Sequence, residues 1–178
     1  MTLSRTGDLA ADQETAVAMT EEQFLLLYHR TARPLRAYLL RSCRNGALAD
    51  DLLQEAYLRV LRAELPGEMP EDHQRNYLYR TATNLMRDHF RRPGSEPIED
   101  AREAASSATV PDGIDRMLEL LEPREREMLW LAHVERFSHE ELGRTFGVKP
   151  QSVKTMLYRT RQKFADILRR KGWIPKTD

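Results

Sequence analysis

A single cysteine, Cys43, occurs among the 178 residues, so the chain can build neither an internal disulfide nor a cysteine-based zinc cluster. Cys43 follows the apolar pattern of its helix and reads as a core filler. Long apolar runs are missing too: no stretch approaches the ~20 residues of a membrane span. The opening MTLSRTGDLAADQETAVAMT lacks the apolar centre of a signal peptide. With a mean hydropathy of −0.65 and 31% charged residues, a soluble, cytoplasmic protein without membrane contact is expected. Catalytic patterns are absent as well. His29, His73, His89, His133 and His139 never fall into H-E-x-x-H, and no glycine-rich phosphate loop or nucleophile motif appears. Neither enzymatic activity nor a cofactor or metal is expected. No run alternates with a period of two, and there is no internal repeat, so strands are not expected either.

Net charge is also missing, with 28 basic and 28 acidic side chains, which at first argues against a polyanionic partner. The distribution reverses that argument. Residues 1–92 are balanced at 13 of each sign, and residues 93–111 hold one basic and four acidic side chains. Residues 112–143 hold four basic and nine acidic, and residues 144–178 ten basic and two acidic. A neutral total thus hides an acidic middle and a strongly basic end, and segment charge is what steers a polyanion.

What is present is helical periodicity. Residues 1–19 are polar and aperiodic, a disordered tail by composition. Thr20-Glu21-Glu22-Gln23 is a capping box that opens a helix running to about Cys43, stopped by Asn45-Gly46. A second helix runs from about Leu48 to Ala63. The segment Glu64–Gln74, rich in proline and acid, reads as a loop. A third helix covers the stretch NYLYRTATNLMRDHFRR, ended by Pro93-Gly94. Residues 93–111 carry three prolines and many small polar residues and form a linker. Beyond it, helices are expected over Asp112–Leu121, Pro123–Val134, a short stretch to Phe146 opened by the capping box Ser138-His139-Glu140-Glu141, and Pro150–Arg170. The architecture is all-α, two small helical domains over residues 20–92 and 112–171, with a tail over 172–178.

Three faces carry chemistry. On the third helix, Leu78, Tyr79, Ala82, Leu85, Met86, His89 and Phe90 share an apolar arc. Tyr77, Arg80, Asn84, Arg87, Asp88 and Arg91 lie opposite, with Asp88 the only acid among the 17 residues of the stretch. Guanidinium groups pair with phosphates, an aromatic ring stacks on a base, and an amide can read a base edge. On the second helix, Leu48, Leu52, Leu53, Ala56, Tyr57, Val60 and Leu61 make a core arc. The other face holds Asp51, Gln54, Glu55, Arg62 and, among them, Leu58, an apolar anchor rimmed by charge of the kind that docks a partner.

The third face belongs to SHEELGRTFGVKPQSVKTMLYRTRQKF, a short helix, a glycine turn and a longer helix, the spacing of a helix-turn-helix. Val153, Met156, Leu157, Thr160, Phe164, Ile167 and Leu168 occupy one arc of about 120°. Gln151, Lys154, Thr155, Tyr158, Arg159, Gln162 and Lys163 lie opposite. Lys154, Thr155, Tyr158 and Arg159 are placed for base edges, and Lys163, Arg169, Arg170 and Lys171 for phosphates. The alternative reading is an ordinary helix-turn-helix regulator acting on double-stranded operator DNA, which leaves Asn84, Tyr77 and Leu58 without a role.

Together these parts resemble the extracytoplasmic-function (ECF) sigma factors, promoter-specificity subunits of bacterial RNA polymerase. The resemblance covers roughly Glu22–Arg92 and Asp112–Arg170. It is carried by Asp51-Leu52-Leu53-Gln54-Glu55-Ala56-Tyr57-Leu58, by Tyr77-Leu78-Tyr79-Arg80-Thr81-Ala82-Thr83-Asn84, by Leu121-Glu122-Pro123-Arg124-Glu125-Arg126, and by Ser138 to Arg161. Tyr77 stands where the family usually has Trp, and Thr81 and Thr83 replace commoner apolar or basic residues. The resemblance implies that Asp51, Gln54, Glu55 and Leu58 bind the β′ clamp helices of core polymerase. It implies that Tyr77, Arg80, Asn84, Arg87 and Arg91 melt and hold the −10 element, Asn84 helping to capture a flipped base. Gln151, Lys154, Thr155, Tyr158, Arg159 and Lys163 would read the −35 element, and an anti-sigma factor would be a further partner. A linker of 19 residues spans at most ~60 Å, which with the widths of the domains reaches elements ~70 Å apart.

Overall fold

A computed structural model describes residues 16–66, 69–91 and 112–174. Most of the expected N-terminal tail, all of the linker and the last four residues lie outside the described residues. The capping box read at Thr20 forms: the Gln23 amide donates to Thr20 Oγ1 and the Thr20 amide to Gln23 Oε1. It launches α1, Glu21–Cys43, which ends at Arg44 in the left-handed conformation, φ 53°. Asn45 then serves as the N-cap of α2, Gly46–Arg62, its Oδ1 accepting the Leu48 amide at 2.9 Å. The pair expected only to stop one helix therefore also starts the next, two residues earlier than periodicity indicated.

The third helix, α3, spans Glu71–Arg91 and begins inside the segment read as a loop. Two acids, Glu71 and Asp72, occupy its first turn, where the helix dipole favours them. Gln74, assigned to that loop, is buried and donates its side-chain amide to Met69 O at 2.8 Å. Two three-residue strands, not expected from the sequence, also occur. Ala16–Ala18 (β1) pairs antiparallel with Glu64–Pro66 (β2), Val17 opposite Leu65. Residues 16–18 were read as tail; their order comes from a backbone partner almost fifty positions away, which local pattern cannot report.

The first unit is α1, α2 and α3 packed on Leu27, Leu35, Leu39, Val60, Leu78 and Met86, each almost inaccessible. Burying one such side chain is worth about 1.5–3 kcal/mol. Its polar interior is satisfied by pairs. Thr31 Oγ1 donates to Leu27 O at 2.5 Å and meets Tyr57 Oη at 2.7 Å. Tyr38 Oη meets Thr83 Oγ1 at 3.0 Å, both groups fully buried. Burial pushes the Tyr57 phenol up to about 12 and raises those of Tyr38 and Tyr79 further, so all three act as neutral hydrogen-bonding rings.

The second unit follows as α4, Asp112–Leu118; α5, Pro123–His133; α6, His139–Phe146; and α7, Pro150–Arg170. Ser138 caps α6 in the expected box with Glu141. Gly147, at φ 66°, closes α6 in the left-handed region that glycine tolerates best. The two units touch: α5 meets α1, and α6 meets α3, so what the linker separates along the chain packs as one continuous set of buried side chains.

Candidate nucleic-acid and partner interfaces

On α2 the amphipathic register turns Leu52, Ala56, Tyr57 and Val60 inward. The opposite face carries Asp51, Gln54 and Glu55, with Leu58 at 43% exposure. Glu55 accepts from Arg59 one turn on, at 2.8 Å, which holds its carboxylate along the helix surface. Leu61, placed in the core arc by periodicity, is instead 38% exposed. Leu25, Leu26 and Tyr28 of α1 are also exposed. The first unit thus exposes apolar side chains beyond Leu58, a feature hidden in the sequence because α1 is apolar on more than one side.

The stripe on α3 is divided. Asn84 is exposed, and Arg80 lies 5.2 Å over the Tyr77 ring, a cation–π contact that orients both groups. Arg91 is exposed and pairs with Asp88 at 2.6 Å. Arg87, expected to face outward to a phosphate, instead turns to the second unit. It donates to Glu127 Oε2 at 2.9 Å and to Thr145 O at 3.2 Å, and lies 4.6 Å over the Phe146 ring. On the core side, Leu78, Tyr79, Ala82, Leu85 and Met86 are buried as read, while His89 and Phe90 are only partly so. Thr83, absent from the predicted core, is completely buried because Tyr38 gives its hydroxyl a partner.

In the helix-turn-helix, α6 packs on α7 through Leu142 and Phe146, with Val153 and Leu157 buried opposite. Close approach at the turn depends on Gly143: a Cβ there would stand 2.8 Å from Val148 O. This arrangement leaves Gln151, Lys154, Thr155, Tyr158 and Arg159 on an open face, Tyr158 62% exposed. Lys163 departs from the expectation, since its Nζ is held by Glu125 Oε2 at 2.7 Å. Arg169 pairs with Asp166 at 2.6 Å, and Arg170 donates back to Asp166 O. Lys154 and Arg159, in the N-terminal half of α7, meet no protein acid among the described residues, and Arg161 just beyond them donates to His133 Nε2 at 3.1 Å.

Sequence reasoning missed the acids that meet α3. Arg75 donates to Glu135 Oε2 at 2.9 Å and to Glu135 O at 2.5 Å, and Tyr79 Oη donates to the same carboxylate oxygen at 2.8 Å. Asn76 bonds Glu141. Arg41 lies 4.4 Å over the Trp130 ring. Desolvation raises the Glu127 carboxyl above its ordinary value, opposed by Arg87. The available signal was the charge imbalance itself: the acidic middle of the chain supplies Glu127, Glu135 and Glu141, all turned toward a basic helix. Among the described residues no cluster of histidine, cysteine and carboxylate is placed to hold a metal, and no helix is long and apolar enough to cross a membrane.

Residues 27–95 match the family described as Sigma-70 region 2, and residues 112–164 the one described as Sigma-70, region 4. The RNA polymerase sigma factor CarQ of Myxococcus xanthus is 32% identical over 158 residues, 83% of this chain and 90% of that protein. The ECF RNA polymerase sigma factor SigE of Mycolicibacterium smegmatis is 31% identical over 134 residues, 67% of this chain and 51% of that protein. In fold, the chain resembles the sigma factor RpoE in its co-crystal with the anti-sigma factor NepR from Bartonella quintana, with a TM-score of 0.65 at 17% identity over 84% of this chain and 96% of that one. CnrH, in complex with the cytosolic domain of CnrY, gives a TM-score of 0.62 at 22% identity over 84% and 89%.

Proposed function

Since the chain belongs to the sigma-70 family, in its ECF branch of RNA polymerase sigma factors, we propose a division of labour between its faces. Residues 20–92 form the unit that binds core polymerase and the −10 element, and residues 112–171 the unit that reads the −35 element. Its role is to bind and position within the cytoplasm, not to catalyse. Asp51, Gln54, Glu55 and Leu58 dock on the β′ clamp helices, Leu58 entering an apolar site while the acids meet basic residues around it. Tyr77, Arg80, Asn84 and Arg91 hold a separated promoter strand: the ring stacks, the guanidinium groups fork to phosphates, and the amide both donates and accepts at a base edge. Arg87 joins them once it is released from Glu127. Gln151, Lys154, Thr155, Tyr158 and Arg159 enter the major groove at −35, with Lys163 at its edge.

The observation that carries this reading is the open face of α7. Lys154, Thr155, Tyr158 and Arg159 are exposed together on one side of a helix whose other side is anchored on α6, and no side chain of the four makes a hydrogen bond or ion pair among the described residues. Four groups able to bond bases or phosphates, unused among the described residues, are suited to a partner rich in acceptors. Footprinting of the polymerase complex tests it. Lys154→Ala and Arg159→Ala are expected to weaken upstream protection. Each lost phosphate contact lowers the salt slope of binding by about one, and each lost base contact costs ~1–3 kcal/mol. Unchanged −35 protection in both variants would place the readout elsewhere.

A further inference from the structure

At the C-terminal end of α5 a group of cations stands without an acid. Arg161, exposed on α7, donates its Nε–H to His133 Nε2 at 3.1 Å, so the imidazole is held neutral with its own proton on Nδ1. Arg136, in the turn after α5, takes a φ of 59°, a left-handed conformation uncommon for a residue with a long side chain. That turn buries Glu135 and Phe137 and leaves Arg136 outside. The carboxylates of the surrounding elements are taken: Glu135 by Arg75, Glu127 by Arg87, Glu125 by Lys163, Glu140 by Arg144 and Asp166 by Arg169. Among the described residues no carboxylate bonds Arg136, Arg161 or His133. Partial burial, then the charges of Arg161 and Arg136, hold the imidazole below its ordinary value.

We infer that Arg161, Arg136 and His133 form a clamp for one phosphate of the promoter duplex, beside the bases of the −35 element. This inference rests on the assignment of α7 to that element. Arg161 stands two helical turns beyond Lys154, so both lie on one edge of the open face, with Tyr158 between them. The rise from one to the other is ~10 Å, and the major groove is ~12 Å wide between walls of phosphate. With the first turns of α7 at base edges, Arg161 therefore stands at a wall, where the acceptors are phosphate oxygens. An acidic protein side chain would meet the same cations, but the edge shared with Lys154 and Tyr158 favours the duplex. His133 makes the clamp titratable. A phosphate draws the Arg161 fork to itself and places negative charge beside the ring. The imidazole then takes a proton from solvent, and its Nε2–H becomes a further donor to the phosphate. The bound form holds that proton to a higher pH than the free form, so affinity rises as pH falls through the window between the two values.

Equilibrium binding of the polymerase complex to promoter duplexes, each carrying one methylphosphonate near the −35 element, tests the clamp; a methylphosphonate is a phosphate stripped of its charge. Arg161→Ala and Arg136→Ala are each expected to weaken binding about fivefold and to lower its salt slope by about one. Their melting temperatures should match wild type, since both side chains are exposed. At one phosphate, the methylphosphonate is expected to cost wild type a similar factor and to cost the Arg161→Ala chain nothing further. Wild-type affinity is expected to rise as pH is lowered from about 8 to about 5, a rise that His133→Gln removes and His139→Gln keeps. Methylphosphonates that all add independently to Arg161→Ala, or a His133→Gln pH profile equal to wild type, overturn the clamp. Losses in Lys154→Ala and Arg159→Ala with none in Arg161→Ala also overturn it and leave the −35 reading standing; no loss in any of the three removes both. Normal duplex binding with weakened transcription in crude extract assigns the cations to an acidic protein and overturns the clamp as well.

Discussion

Replacing Leu58 by aspartate separates folding from partner binding. Leu58 is 43% exposed in the free chain, so a little under half of its surface remains for a partner to cover. Full burial of a leucine is worth about 1.5–3 kcal/mol, which leaves about 1 kcal/mol for the docking step. Leu58→Ala should therefore weaken core polymerase binding about fivefold. Leu58→Asp does more, because it also places a carboxylate in the contact. An unpaired charge taken out of water costs several kcal/mol, and a loss of about a hundredfold or more is expected. The isolated chain should lose only a little: about 0.5 kcal/mol for the propensity difference between Leu and Asp, and about 1–2 kcal/mol for the part of the side chain already covered in the free chain. The assay is a titration of labelled chain with core polymerase, run beside thermal melts followed by far-UV circular dichroism. Unchanged affinity in Leu58→Asp, or a melting temperature that falls steeply, would refute the assignment of Leu58 to a docking face.

Two further variants probe what holds the first unit together. Thr83→Val removes the partner of the buried Tyr38 hydroxyl and should cost about 1–3 kcal/mol in urea unfolding, whereas Thr81→Val, at a half-buried position on the same helix, should cost less. Arg36 hydrogen-bonds Asp50 and holds its carboxyl below the ordinary aspartate value of 3.8, so the pair stabilises the fold above that pH and is lost as pH falls through the depressed value. The two side chains are 43% and 45% exposed, which limits the pair to at most about 1 kcal/mol. Asp50→Asn should thus lower the melting temperature slightly at neutral pH, and the difference from wild type should vanish well below pH 3.8.

Much of this was legible because it is local. Thr20 with Gln23, and Ser138 with Glu141, announce helix starts through a three-residue spacing and form as read. Gly147 marks the turn, and the two arcs of α7 divide almost as periodicity divides them. What stayed hidden depends on partners distant in sequence. Arg87 and Lys163 look like free cations on a helical wheel, and only the packed fold brings Glu127 and Glu125 to them. Thr83 looks polar until Tyr38 gives its hydroxyl a partner. The start of α3 was masked by the prolines around it, although Glu71 and Asp72 are what a first helical turn favours. Pairing of Ala16–Ala18 with Glu64–Pro66 joins two segments that carry no alternation of their own.

Asn84 gives the central claim its most direct test. It is exposed on α3, and its amide offers a donor and an acceptor to the edge of an unpaired base. Extruding a base costs a few kcal/mol, so a site that captures one must return a similar amount. The measurement is permanganate reactivity of −10 thymines in complexes of promoter DNA, core polymerase and either wild-type or Asn84→Ala chain. The expected result is normal core binding and closed-complex formation, weak thymine reactivity on duplex DNA, and transcription largely restored on a premelted template. Thymine reactivity equal to wild type on duplex DNA would contradict it, leaving the α3 stripe an electrostatic rail with no part in base capture.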